Sequence, residues 1–345
     1  MKKVIIAPLN WGLGHATRCV PIIKELQKKN FTPVIASDGN ALRFLKKEFP
    51  TLEFFELPSY NISYSKNLKW TLFFKLPTFL NIIKKEQKVL QEYLHNTKNV
   101  VGIISDNRFG IHSKKIPSVY ITHQINVLSG FLTPITSYFH QRIIKKFNEC
   151  WIPDDENLKL SGKLSKSSNK LHQKYIGILS RFKKHNLEQE IDVLIILSGP
   201  EPNRTQLESK LLSIFKNSSQ KIYLIQGNVE TAQKTTSKEN ITVVNFMLSK
   251  ELEKTINASK IIICRAGYSS ILDLISLDKN AILIPTKHQS EQEYLAESLQ
   301  QKGYFRYVDE ENIDKKIIDQ SIKRKTFDFK KNEFNTELFC LFQGE

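Results

Sequence analysis

Residues 260–299 read KIIICRAGYSSILDLISLDKNAILIPTKHQSEQEYLAESL, and the order of their apolar and polar runs decides the fold. Lys260 to Cys264 reads as a strand, its Ile261 to Cys264 a continuous apolar run of the kind found in strands covered on both faces. It ends in Arg265-Ala266-Gly267-Tyr268-Ser269-Ser270, after which the spacing predicts a helix over Ser269 to Leu277. A second apolar run, NAILIPT, follows, and then a predicted helix over Glu291 to Lys302. Strand, glycine-containing loop, helix and strand in that order form the unit of a parallel α/β sheet.

The same alternation extends outward in both directions. Upstream within the second half lie the strands IDVLIILSG, KIYLIQ and ITVVNF, with helices around Arg204 to Lys216 and Ser249 to Ala258. The first half predicts strands at Lys3 to Ala7, Thr32 to Ala36, Leu52 to Leu57, Val100 to Ser105 and Ser118 to Thr122, and a helix from Ala16 to Lys29. Each half opens with an apolar strand that feeds a glycine-containing loop and a helix. The prediction is α/β: two doubly wound, Rossmann-like domains at 1–180 and 191–325, joined by the charged linker 181–190. Residues 326–345 are expected to return to the N-terminal domain. Ligands of open α/β sheets bind outside the carboxyl ends of the strands, so a cleft between two such domains is the expected place for chemistry.

Composition narrows the class of function. With 345 residues, 40% of them hydrophobic and 25% charged, the chain is long enough for two globular cores. A formal net charge of +16 and a pI near 9.5 favour an anionic partner, against the alternative of a merely Lys-rich solvated surface. No helix-turn-helix, RNP or zinc-finger pattern accompanies the charge, so nucleic acid is not the expected partner. Cys19, Cys150, Cys264 and Cys340 are far apart, without a CxxC pair or clustered His. That predicts neither a zinc site nor a disulfide framework and suits a reducing cytoplasm. No run approaches the roughly 18 to 20 apolar residues that span a bilayer.

Three groups of residues carry candidate chemistry. Asn10-Trp11-Gly12-Leu13-Gly14-His15 is the first loop: Gly12 and Gly14 allow a sharp turn, and His15 is placed to act as a base near neutral pH. It lacks the third glycine of a dinucleotide fingerprint, with Asp38 the nearest acid to a ribose position. Further general-base candidates are Asp106 and His123, which end the runs VVGIIS and SVYIT. In the second half, Gly267 permits close backbone approach, while Ser269 and Ser270 are expected to cap the helix and face a phosphate. Asp273 is placed either to reach a ribose or to close a capping box with Ser270. Gln289 and Gln292, with Glu293, suit a sugar's hydroxyls, because an amide both donates and accepts.

At these residues the sequence resembles glycosyltransferase family 28. CRAGYSSILDLISLDKNAILIPTKHQSEQEYLAESL is similar to that family's donor-binding segment, and NWGLGHATR to its N-terminal glycine-rich loop. THQIN (122–126) and GILSR (177–181) are weaker echoes. The resemblance implies a GT-B architecture, its two Rossmann-like domains facing each other across a cleft, and a UDP-sugar donor. It also implies roles: Asp273 on the ribose, Gly267 to Ser270 facing the phosphates, Gln292 on the donor sugar, and Met247 at the uracil. Arg181 and Ser198 match an arginine and a serine that approach the diphosphate, and His15 matches the loop histidine. The chain departs from the family at Ser198-Gly199-Pro200-Glu201-Pro202, at Thr17-Arg18, and in having Asp rather than Glu at 273.

The expected reaction is attack by an acceptor hydroxyl on the anomeric carbon with the nucleotide diphosphate leaving, and no cofactor or metal is expected. The helix start at Ser269, with Arg181 or Arg265, takes the place of a metal ion; Asp154-Asp155 is read as linker. The acceptor-binding role falls to 1–180 and the nucleotide-sugar role to 191–325, with a lipid-linked or cell-envelope glycan as acceptor. The alternatives are a nucleotide-sugar epimerase and a non-catalytic binding protein. Two basic aromatic runs, Trp70 to Lys85 and Tyr138 to Phe147, add an expected contact with an anionic membrane surface at its cytoplasmic face.

Overall fold

A computed structural model describes residues 1–60, 76–166, 171–199, 201–320, 325 and 335–343. The chain divides into two compact units, Met1–Leu179 with Lys331–Glu345, and Ser180–Lys330.

The first unit runs β1 (Lys3–Pro8), α1 (Gly14–Lys28), β2 (Thr32–Ser37), α2 (Gly39–Glu48), β3 (Glu53–Glu56), α3 (Leu76–Asn96), β4 (Val100–Asp106), β5 (Ser118–Ile121), α4 (Thr133–Ile144), β6 (Glu149–Ile152) and β7 (Gln173–Tyr175). Its sheet has the order β3-β2-β1-β4-β5-β6-β7, and every pairing is parallel. Val4 to Ala7 and Val34 to Ala36 are wholly buried, as uninterrupted apolar runs in a sheet covered on both faces must be. A 3-10 helix, Thr336–Phe342, belongs to this unit and sets Phe339 and Phe342 beside Trp151, with ring centroids 6.1 and 6.2 Å away. Gly102 in β4 makes room for that helix: a Cβ there would lie 2.3 Å from a ring carbon of Phe342.

The second unit runs β8 (Ile191–Ile196), α5 (Asn203–Phe215), β9 (Ile222–Ile225), β10 (Thr235–Lys238), β11 (Ile241–Val244), α6 (Ser249–Asn257), β12 (Ser259–Cys264), α7 (Tyr268–Ser276), β13 (Ala281–Leu283), α8 (Ser290–Gln301), β14 (Arg306–Tyr307) and α9 (Lys315–Asp319). The strand order is β10-β11-β9-β8-β12-β13-β14; β10 is antiparallel to β11, and the other pairings are parallel. The core of this unit joins Val193, Ile195, Leu207, Leu211, Phe215, Leu224 and Ile263.

In each sheet the chain moves to one side of its first strand and then crosses to the other. The reversal falls between β1 and β4 in the first sheet and between β8 and β12 in the second. Crevices at such reversals, outside the carboxyl strand ends, are where doubly wound sheets bind ligands.

One expectation is corrected by this arrangement. Asp154-Asp155 is not linker: both residues are buried between β6 and β7, and Asp154 accepts from the backbones of Asp155, Leu160 and Ser161 at 2.8, 3.0 and 2.8 Å. Of the basic aromatic run, Leu76 to Lys85 lie in α3. Trp70 to Lys75 of that run lie outside the described residues.

Candidate active site

The first sheet's reversal point is built by register. Pro8 of β1 pairs with Asp106, the last residue of β4, which in turn pairs with Ile121 of β5. The loops that leave these strands therefore start side by side. Gly12 turns the first loop with φ +70°, in the left-handed region glycine adopts without strain. Helix α1 begins at Gly14, two residues earlier than predicted, so His15 stands inside its first turn rather than ahead of it. Arg18 follows His15 by three residues, on the same face of the helix.

These elements converge on Asp106. His15 Nδ1 lies 2.8 Å from Asp106 Oδ1, and Arg18 grips both carboxylate oxygens, Nε to Oδ2 at 2.5 Å and Nη2 to Oδ1. Arg18 Nη1 reaches His123 Nδ1 at 3.2 Å. Asp106 is fully buried, while Arg18 and His123 are 3% and 5% exposed. Burial alone would raise the Asp106 carboxyl, but the charges of Arg18 and His15 outweigh it and hold it at about 2. Burial also lowers His15 below the ordinary imidazole value, with Asp106 pulling the other way and Arg18 adding to the depression. A neutral imidazole backed by an ionised carboxylate is an arrangement that accepts protons. His15, Asp106 and His123, proposed separately from the sequence, are thus one cluster. Arg18, which joins them, was noted in the sequence only as a departure from a family pattern; the available signal was its spacing of three from His15.

Asp38 is held by protein partners. Its carboxylate is paired with the buried Arg108 and accepts from Asn10 Nδ2 at 3.1 Å, and Asn10 Oδ1 in turn accepts from Ala41 N at 3.2 Å. This network fixes the first loop against α2.

In the second unit the carboxyl strand ends carry Ser198 and Gly199 after β8, Gly227 after β9, Met247 after β11, Arg265 to Ser270 after β12, and Thr286 to Gln292 after β13. Gly267 is the N-cap of α7, and no side chain caps that helix. Ser269 and Ser270 are therefore residues of its first turn and not caps, and the Ser270–Asp273 capping box does not form. A Cβ on Gly267 would meet only Ser270 Oγ, at 3.9 Å, so the protein itself does not require glycine there. Gly227, overlooked in the sequence, is required: it has φ +74° and a Cβ would lie 2.6 Å from Leu197 O.

Asp273 accepts from Ser180 Oγ at 2.7 Å and from the Arg181 backbone, and Arg181 Nη1 donates to Ser249 Oγ at 3.2 Å. Burial raises Asp273 to about 6, against the opposing pull of the Arg181 guanidinium. Arg265 is placed differently from the expectation. It is buried, and it donates to Glu310 at 2.7 Å, Asn203 O at 2.9 Å and Pro285 O at 3.2 Å. Its guanidinium braces these loops, whereas Arg181 is the basic group whose charge acts on Asp273. Gln292 Oε1 accepts from Thr286 N at 2.9 Å, and Glu293 accepts from His288 N at 2.8 Å. Gln289 occupies the N-cap of α8. Met247 is buried, in a loop held by Asn245, whose Oδ1 accepts from Lys234 N at 2.8 Å.

Among the described residues, no group of three or more His, Cys, Asp or Glu has the geometry to hold a metal ion, and no helix is long and apolar enough to cross a membrane.

Residues 179–337 match the sequence family described as the glycosyltransferase family 28 C-terminal domain. A UDP-N-acetylglucosamine--N-acetylmuramyl-(pentapeptide) pyrophosphoryl-undecaprenol N-acetylglucosamine transferase from Caldanaerobacter subterraneus subsp. tengcongensis is 21% identical over 324 residues, covering 90% of this chain and 87% of its own. The enzyme of the same name from Clostridium perfringens strain SM101 is 26% identical over 345 residues, covering 94% and 90%. In three dimensions the crystal structure of MurG from Acinetobacter baumannii superposes with a TM-score of 0.54 at 14% identity, covering 93% of this chain and 89% of that one. The likeness assigns the two doubly wound units to the GT-B class. Residues 179–337 thus carry a match to the family 28 C-terminal domain, and the chain as a whole is similar, at 21 to 26% identity, to UDP-N-acetylglucosamine transferases over most of its length.

Proposed function

We propose that the protein transfers a hexose or N-acetylhexosamine from a UDP-sugar to a hydroxyl of a lipid-linked or cell-envelope glycan, without a metal ion, at an anionic membrane surface. The observation that carries this reading is the His15–Asp106 pair at the reversal point of the first sheet. The names of the relatives, which are UDP-N-acetylglucosamine transferases acting on an undecaprenol-linked acceptor, support the donor and acceptor classes.

In the proposed step the acceptor oxygen forms a bond to the anomeric carbon while the bond from that carbon to the diphosphate breaks, its electron pair leaving with UDP. The hydroxyl proton passes to His15 Nε2. The developing charge on the diphosphate is met by the backbone N–H groups of the first turn of α7, with Ser269 and Ser270 there, and by Arg181. Gly267 leaves the approach open. Asp273 takes the ribose hydroxyls, Met247 flanks the base, and the Gln292 amide, its oxygen already held by Thr286, offers its NH2 group to the sugar together with Gln289. Ser198 and Gly199 add backbone donors from β8.

A radiolabelled UDP-sugar panel tests the reading, with a polyprenyl-diphosphate-linked acceptor and with EDTA present. Transfer that persists in EDTA is the expected result. Epimerised sugar without transfer, or UDP binding without any turnover, overturns it.

A further inference from the structure

We propose that Arg18 is a positioning residue that fixes two histidines in opposite tautomers, His15 with its proton on Nδ1 and His123 with its proton on Nε2. One ring then presents a lone pair and the other a hydrogen-bond donor. What these tautomers accomplish rests on the transferase reading above; the tautomers themselves rest on geometry.

A guanidinium has five N–H donors and no acceptor, so wherever Arg18 hydrogen-bonds it is the donor. Its 3.2 Å contact from Nη1 to His123 Nδ1 makes that nitrogen an acceptor, and in a neutral ring the proton is then on Nε2. An ionised carboxylate only accepts. Asp106 receives Arg18 Nε at 2.5 Å on Oδ2, and both Arg18 Nη2 and His15 Nδ1 on Oδ1, the latter at 2.8 Å. His15 Nδ1 therefore carries hydrogen, and its lone pair is on Nε2. Arg18 Nη2 also approaches His15 Nδ1 at 2.9 Å, but a bare Nδ1 would set its lone pair against an oxygen of the ionised Asp106 at 2.8 Å, so Nη2 serves Asp106 Oδ1 and Nδ1 keeps its proton.

The planar fork is what allows one side chain to do this. Nε and Nη2 bind the two carboxylate oxygens in parallel, and Nη1 points away from them toward His123. An ammonium group at the end of a lysine has no such fixed divergence. Without the fork the buried Asp106 carboxylate would lose its cationic partner and keep His15 and the weak Cys19 Sγ contact, and His123 Nδ1 would lose the Arg18 donor. With it, His15 Nε2 removes a proton while His123 Nε2–H donates to an anionic oxygen of the substrate.

The test is 15N NMR of the full chain labelled at histidine, with the two rings assigned through His15→Gln and His123→Gln. In a neutral ring the unprotonated nitrogen resonates well downfield of the protonated one. The expected downfield nitrogen is Nε2 in His15 and Nδ1 in His123. In Arg18→Lys, His123 is expected to lose its single tautomer, and kcat to fall by about a hundredfold or more with donor KM within about twofold. A downfield Nε2 in wild-type His123, or unchanged rings in Arg18→Lys, overturns the proposal. If Arg18→Lys does not fold, the wild-type assignments decide alone. Wild-type tautomers as stated in a chain that transfers no UDP-sugar would remove the proposed function and leave the tautomer assignment standing.

Discussion

Ser180 Oγ donates to Asp273 Oδ1 at 2.7 Å, tying the first residue of the second unit to the acid that the family resemblance places on the ribose. In the free protein Asp273 is thus already an acceptor, fixed from outside its own helix. Asp273→Ala is expected to weaken UDP binding by about 1 to 3 kcal/mol, roughly five- to 150-fold in Kd. Calorimetry checks it. Unchanged UDP affinity with a lower melting temperature would make Asp273 an anchor for Ser180 and nothing more.

The same carboxyl gives a pH signature. Burial, opposed by Arg181 and Ser180, raises it from 3.8 to about 6. A folded pKa above the unfolded one contributes stability that is complete below about pH 4 and lost as pH rises through about 6. Asn at this position does not titrate. Asp273→Asn is therefore expected to gain in melting temperature relative to the parent as pH goes from 4 to 8. Thermal scans across that window that show the gap constant, or widening toward acid, would count against the raised carboxyl.

Helix α7 and its neighbours were legible in the sequence because Ile-rich strands and glycine loops alternate there without exception. β10 was not. Its four residues, Thr235 to Lys238, are all exposed, so no apolar pattern marks this strand, which pairs antiparallel with β11. β6 escaped for a different reason: Glu149-Cys150-Trp151-Ile152 is too short a run to separate from the polar residues around it. At the site, residue types were readable but their partners were not. Arg181 and Arg265 look alike in sequence, and only the fold shows that Arg265 is committed to Glu310, Asn203 and Pro285.

That difference between the two arginines can be measured. Arg265→Ala leaves Glu310 and two carbonyls without their donor and is expected to cost on the order of 3 kcal/mol of stability. Arg181→Ala is expected to lower UDP affinity with the smaller loss of stability. Denaturant unfolding paired with UDP titration separates them; a larger affinity loss for Arg265→Ala would return that residue to the diphosphate.

His15→Ala is expected to lower kcat by about a hundredfold to ten-thousandfold, the range general-base catalysis supplies. UDP affinity should stay nearly unchanged, since the groups proposed to hold the nucleotide belong to the second unit. With His15 depressed by burial, the acid limb of the parent's kcat/KM profile should fall below pH 6.5, activity decreasing as the imidazole takes up a proton. A loss of UDP binding as large as the loss of rate would make His15 a phosphate ligand.

The last prediction concerns the membrane surface. On α4, Ile135, Tyr138, Phe139 and Arg142 follow one another at the helical spacing of 3, 1 and 3, so they share a face. That face is exposed: Ile135 is 55%, Tyr138 57% and Phe139 58% accessible, and Phe131 just ahead of the helix is 82%. These side chains are therefore not core packing. Arg142 lies over the Tyr138 ring at 5.9 Å, and Lys145 and Lys146 are exposed beyond the helix end. An apolar stripe ending in cations suits an anionic bilayer, where side chains of this size enter the headgroup layer and each basic group adds on the order of 1 kcal/mol. The chain is expected to float with phosphatidylglycerol vesicles at low salt and to release by about 0.5 M salt, where the screening length is only a few ångströms. The double variant Tyr138→Ser, Phe139→Ser should lose flotation and keep its melting temperature, because exposed side chains contribute little to folding. Equal behaviour with neutral and anionic vesicles, or flotation untouched by the double variant, would show that α4 does not form the membrane contact.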